Sequence, residues 1–149
     1  MTEEIYQQAI KELAKAAHGA GRLHAPDASV QLDNPLCGDR IALDLRIEDG
    51  RIAAIGHETR GCLLCRAAAS LIGYAAPGLD GAQLSAVHAE IAALLRGELA
   101  APALWPDFQV FTPVRTHRSR HGCILLPFQA LESALVARSA AAERCVSGH

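Results

Sequence analysis

Residues 40–59, RIALDLRIEDGRIAAIGHET, decide the fold. Ile41, Leu43, Leu45 and Ile47 alternate with Ala42, Asp44, Arg46 and Glu48, which is the period of a strand with one buried face. Asp49-Gly50 is a strong two-residue hairpin signal, because both central positions of such a turn need a positive φ. That turn sets Glu48 opposite Arg51 and Ile47 opposite Ile52, and an unbroken ladder then carries Leu45 opposite Ala54. An antiparallel hairpin is the expectation, and the remaining elements are arranged around it.

Upstream, EEIYQQAIKELAKAAH (3–18) predicts a helix. Thr2 can cap it, Glu3 and Glu4 suit the positive end of its dipole, and Gly19 and Gly21 stop it. Ile5, Ala9, Leu13 and Ala16 would form its apolar stripe. Residues 22–28 read as a loop and SVQL (29–32) as a short strand. Downstream, Gly61 ends the hairpin and an alanine-rich helix is predicted from about Leu63 to Ala76, closed by Pro77-Gly78. Leu84, Val87, Ile91, Leu94 and Leu95 predict another helix over 82–96. Residues 97–122 read as irregular and carry Trp105, three prolines and the basic run RTHRSRH. A last helix is expected near 127–143, beginning just after Cys123. His18, His24, His88 and His149 read as surface residues.

A chain of 149 residues, half of them hydrophobic and 20% charged, is long enough to bury a core and is expected to form one domain, 1–149. Its net charge of −2 argues against broad binding to nucleic acid or to an anionic membrane surface. The opening residues, MTEEIYQQAI, lack the basic and apolar regions of a signal peptide, and no apolar run is long enough to span a bilayer. A cytoplasmic location is therefore expected, and it changes how the cysteines at 37, 62, 65, 123 and 145 are read. Reducing conditions and an odd count both disfavour a disulfide framework, so metal or redox chemistry gains weight.

In NPLCGD (34–39), Asn34-Pro35 initiates a turn and Gly38 tolerates angles that other residues resist. The loop offers two metal-ligand types, Cys37 and Asp39, although Cys37 is equally read as a small buried apolar residue. Cys37, Cys62 and Cys123 each adjoin a glycine at a strand or helix end, so three loops can converge on one pole of the domain. Thiolates there would bind zinc or iron, with Asp39 or a histidine in the fourth position; the alternative is three unrelated buried cysteines. Cys62 falls at a helix N-terminus, where dipole and open N–H groups suit a thiolate. With Cys65 it forms a CxxC. A thioredoxin-like motif should follow a buried strand in a βαβ unit, and this one follows an antiparallel hairpin. Cys65 reads as a packed small residue that oxidation can join to Cys62, and Cys145 as a bystander. The basic run is short and has no interleaved aromatics, so it reads as a surface that docks an acidic partner or shields thiolate charge, or as a plain solvated loop.

NPLCGD, the hairpin, GCLLCRAAASLI and GCILLPFQAL together resemble the NifU N-terminal, or IscU/SufU, family of iron–sulfur cluster assembly scaffolds, and the resemblance covers nearly the whole chain. It implies an α+β fold in which a small antiparallel sheet has helices packed on one face. It also implies a ligand set of Cys37, Asp39, Cys62 and Cys123 holding zinc or a transient iron–sulfur cluster. A cysteine desulfurase would donate persulfide sulfur, with Cys37 the candidate acceptor, and apo iron–sulfur proteins would receive the cluster. The chain would be a scaffold or a zinc-dependent sulfurtransferase partner rather than a conventional turnover enzyme. The long gap between Cys62 and Cys123 is closer to the SufU branch. Three features depart from IscU. Gly122 stands where IscU has a histidine before its third cysteine, with His121 one position further back. PVR (113–115) is separated from Cys123 by the basic segment, away from the place of the IscU chaperone motif. Cys65 is extra. The competing readings are a thiol–disulfide redox protein using Cys62 and Cys65, and a structural zinc domain.

Overall fold

A computed structural model describes residues 3–35, 38–99 and 104–147. Three strands, β1 (Ala28–Asp33), β2 (Arg40–Glu48) and β3 (Arg51–Arg60), form one antiparallel sheet in the order β1-β2-β3. Helix α1 spans Glu3–Ala16, α2 Leu63–Ala75, α3 Gly81–Leu95 and α4 His121–Ser147. Ile41, Leu43 and Leu45 are fully buried on the helix-covered face of β2, as their alternation requires. There α4 packs on β1 and β2, α2 packs on β3, and α1 lies against α2.

The hairpin turn is where the sequence puts it, but the register beyond it is not. Ile47 faces Ile52, then the ladder slips, so that Arg46 pairs with Ala54 and Leu45 with Ile55 rather than with Ala54. Ala53 is the extra residue of a β-bulge. The cause is visible in the side chains: Ile52 and Ile55 are both buried, and in a regular strand residues three apart point to opposite faces. The bulge puts both into the core.

Helix α1 ends at Ala16 rather than at residue 18, where Ala17 turns to a φ of 47°. Its buried stripe centres on Ile10 and Ala14, with Ala16 exposed; Thr2 lies outside the described residues. Much of the stretch expected to be irregular is 3-10 helix, over Pro106–Thr116 and Arg118–Arg120. Trp105, Phe108 and Phe111 pack there with Phe128 of α4, at ring-centroid separations of 5.0 to 5.9 Å. Helix α4 begins at His121, six residues before its expected start, and carries Pro127 inside it. Proline has no N–H for the carbonyl four residues back, which here is that of Cys123, but the apolar side chains flanking it hold the helix together. Ile124, Leu126, Phe128 and Leu131 are all buried. Of the histidines expected at the surface, His18 and His24 are exposed, His88 is half-buried against Glu132, and His149 lies outside the described residues.

The segment between α1 and β1 wraps the free edge of β3. On the helix face Gly19 accepts the His57 N–H (2.9 Å), and Gly21 donates to the His57 carbonyl (2.7 Å), which satisfies an edge that would otherwise recruit another strand. On the opposite face Arg22 grips Asp44 through two bonds of 2.7 and 2.8 Å, with Leu23 N–H and the Ser29 hydroxyl completing the shell. Asp44, which the alternation places on the outer side of the strand, is thereby only 1% exposed. Among the described residues, no helix is long and apolar enough to cross a membrane.

Candidate metal centre

Asp39 immediately precedes β2, Cys62 is the N-cap residue of α2, and Cys123 sits in the first turn of α4. One donor atom from each lies within 4.8 Å of the other two. Asp39 and Cys123 are buried and Cys62 is half-buried, so the group sits just beneath the surface with Cys62 as its accessible member.

Local chemistry explains the convergence. The NPLCGD loop closes on itself: Asn34 N–H donates to the Asp39 carbonyl and Gly38 N–H to the Asn34 carbonyl, each at 2.8 Å. Gly38 has a φ of +75°, which glycine adopts without strain. The Asp39 carboxylate then turns to α2. Its Oδ1 accepts the Cys62 N–H at 3.0 Å, and its Oδ2 accepts the Cys62 thiol at 3.4 Å. Cys62 makes no side-chain cap of its own helix; Asp39 instead accepts the N–H of the N-cap residue itself, the part that the reciprocal side chain of a capping box plays.

The glycines before the second and third cysteines have the same use. A Cβ on Gly61 would lie 2.5 Å from Asp39 Oδ1, and one on Gly122 would lie 2.8 Å from Asn34 Nδ2. Both ends of the NPLCGD loop therefore rest on backbone that has no side chain, one beside Cys62 and the other beside Cys123. The sequence marks these glycines as cysteine neighbours. It does not show what fills the space they leave.

Cys37 lies outside the described residues, as does the Cys145 side chain. Cys65 is fully buried on α2 and is not part of the clustered group; it and Cys62 are both reduced. His121 directs Nε2–H to the carbonyls of Val114 and Arg115, both at 3.1 Å, and is likewise outside the group. Arg115, Arg118 and Arg120 of the basic run are exposed, and none of them enters an ion pair among the described residues. Beside Cys62, a cleft of about 370 Å³ is lined by Tyr6, Ile10, Leu63, Leu64, Val114 and Arg120.

The donor set fits zinc. Bonds of about 2.3 Å to sulfur place two ligands of a tetrahedral zinc about 3.8 Å apart. The three donors, within 4.8 Å of one another, are spaced on that scale. Two sulfurs and a carboxylate oxygen are also a set that zinc accepts, whereas magnesium and calcium require oxygen throughout.

Residues 5–105 match the NifU-like N terminal domain family. The chain belongs to that family. This NifU-like domain is 26% identical over 131 residues to the iron-sulfur cluster assembly scaffold protein IscU of Thermotoga maritima, an alignment covering 88% of this chain and 92% of the relative. It is 25% identical over 131 residues to the zinc-dependent sulfurtransferase SufU of Bacillus subtilis, covering 87% and 88% of the two. Among solved structures, the N-terminal NifU-like protein from Brucella abortus superposes with a TM-score of 0.86 at 28% identity, over 93% of this chain and 96% of that one. The α+β architecture that the resemblance implies is thus the architecture of the family.

Proposed function

We propose that this NifU-like domain is an iron–sulfur cluster assembly scaffold that accepts persulfide sulfur from a cysteine desulfurase and passes the cluster to apo acceptor proteins in the cytoplasm, with residues 1–149 acting as one domain. The observation that carries this reading is the donor group itself: a carboxylate from a loop and two cysteine sulfurs from the starts of two helices, within 4.8 Å of one another, in a chain of this family. Cys37, two residues before Asp39 in the chain, is the fourth ligand and the first acceptor of sulfur. Zinc, when bound, would be held by Cys37, Asp39, Cys62 and Cys123 and would tie the NPLCGD loop to the starts of α2 and α4. The cluster is cargo, held by the thiolates and released. The long segment between Cys62 and Cys123, which holds α2, α3 and two 3-10 stretches, favours the SufU branch. The apolar cleft beside Cys62 and the exposed arginines at 115, 118 and 120 offer a surface for the donor or acceptor protein.

Two measurements on the same variants test the reading. Zinc affinity should fall at least about 100-fold on Cys→Ser substitution at 37, 62 or 123, because an alcohol replaces a soft thiolate. Cys65→Ser and Cys145→Ser should keep the parent stoichiometry. With a desulfurase and free cysteine, mass spectrometry should find added sulfur on Cys37, Cys62 or Cys123. A parent protein that neither binds zinc nor acquires sulfur refutes the proposal.

A further inference from the structure

Persulfide sulfur stands two electrons above the sulfide that bridges iron in a cluster, so a sulfur-accepting scaffold needs a source of two electrons. Two thiols in one helical turn can supply that many electrons by closing a disulfide, and the proposed ligand set includes Cys62 but not Cys65. Cys62 is the N-cap of α2 and half-buried, while Cys65, the third residue of the helix, is 0% exposed. Both are reduced. The Cys62 thiol here donates to Asp39 Oδ2 at 3.4 Å rather than capping its helix, and rotation about its Cα–Cβ bond is what turns the sulfur toward the third helical residue. Cα atoms at this separation in a helical turn are about 5 to 6 Å apart, inside the range a disulfide spans. An accessible sulfur at the helix N-terminus above a buried one in the same turn is the arrangement in which the outer cysteine takes a substrate and the inner one resolves it.

We propose that Cys62 and Cys65 form a reductive pair that discharges sulfane sulfur from Cys62 as sulfide. The proposal deepens the sulfur-acceptor reading above and rests on it for the natural source of the sulfur. The Cys65 thiolate attacks Sγ of persulfidated Cys62. The Cys62–Cys65 bond forms, the bond from Cys62 to the outer sulfur breaks, and hydrosulfide leaves, taking up the proton that Cys65 gave up. The outer sulfur gains two electrons and the two cysteines lose them. A dithiol reductant then resets the pair by exchange. This explains a cysteine at 65 in a helix whose other buried positions over 67–70 are alanine or serine, chemically inert at these potentials.

The test uses the metal-free full chain loaded with inorganic polysulfide, desalted and transferred to buffer without reductant. The parent should release sulfide approaching one per chain, and peptide mapping should find a Cys62–Cys65 disulfide. Cys65→Ser and, to avoid a buried hydroxyl, Cys65→Ala should keep the persulfide on Cys62 and lose most of the release. Equal release from both variants overturns the proposal. So does a disulfide joining Cys62 to Cys37 or Cys123 in place of Cys65, and so does the absence of sulfane sulfur on Cys62 after polysulfide. A desulfurase assay on the same samples separates the two readings. Polysulfide discharge without any persulfide from the desulfurase overturns the acceptor reading alone, and desulfurase-derived persulfide that Cys65→Ala discharges normally overturns the pair alone.

Discussion

Two glycines precede two of the clustered cysteines, and they are not equivalent. A Cβ on Gly61 would meet Asp39 at Oδ1 (2.5 Å), Cγ (2.6 Å) and Cβ (2.9 Å), so the whole side chain is in the way and no rotation of its tip relieves it. On Gly122 the close contact is the tip of Asn34, with Nδ2 at 2.8 Å and Cγ at 3.8 Å. The amide can swing aside. Overpacking of the first kind costs about 1–3 kcal/mol and displaces one of the proposed ligands. Gly61→Ala should therefore destabilise the fold by that amount and lower zinc affinity at least about tenfold, while Gly122→Ala keeps most of both. Urea unfolding and a chelator competition titration measure the two quantities. Equal effects would mean that the cradle is no more than loop backbone. The sequence exposes these glycines, but the groups that fill their missing side chains come from 22 and 88 residues away along the chain, and no local pattern carries that contact.

At the scale of elements, hydrophobic period found β2, β3, α2 and α3 to within a residue or two, because each buries one regular stripe. It lost the register of β3, although the odd spacing of Ile52 and Ile55 was the signal of a bulge. It also starts α4 at 127 rather than at 121, because Pro127 interrupts the pattern of a helix that tolerates it. That error moved Cys123 out of the helix whose first turn holds it. The join between the NPLCGD loop and α2 was equally hidden, since Asp39 acts there twice, as acceptor of the Cys62 N–H and as a proposed ligand. Two substitutions separate these roles. Asp39→Asn keeps the Oδ1 acceptor but replaces the second oxygen with an amide nitrogen that does not bind metal. Asp39→Ala removes both. Loss of the acceptor for the Cys62 N–H costs about 1 kcal/mol, so Asp39→Ala should unfold at correspondingly lower urea, whereas Asp39→Asn stays near the parent. Zinc affinity should fall in both. An Asp39→Asn protein that binds zinc as the parent does would reduce the carboxylate to a turn residue.

Across the whole molecule, His57 and Asp44 are buried ionisable groups with displaced pKa values that both clasp the segment that wraps β3, on elements other than those that carry the donor group. His57 is 4% exposed. Its Nε2–H donates to the His18 carbonyl at 2.8 Å and its Nδ1 lies 3.1 Å from the Thr59 hydroxyl, so both ring nitrogens are engaged. Burial pushes its pKa below the usual histidine value, against the opposing pull of the His18 carbonyl. On the other face, the hydrogen bonds from Arg22 hold the Asp44 carboxyl down to about 2, assisted by Ser29 and the Leu23 N–H and opposed by burial. The signs follow from proton counts. Below about pH 6.5 the unfolded chain protonates its histidine more readily than the folded one does, so stability falls as pH drops through that range. Below about pH 4 the unfolded carboxyl takes up a proton that folded Asp44 refuses until about 2, and a second loss begins there. With Arg22 half-exposed, this second step is worth about 1 to 2 kcal/mol. Urea midpoints at about pH 7, 5 and 3 should thus fall in two stages. His57→Gln, which keeps a donor toward the His18 carbonyl, should flatten the first stage alone, and Asp44→Asn, less stable at neutral pH, should flatten the second. Because the clasp and the donor group sit on different elements, zinc affinity at neutral pH should be unchanged in both variants. If either variant lost zinc in proportion to its stability, the clasp and the metal centre would have to be one cooperative unit rather than the two that the contacts describe.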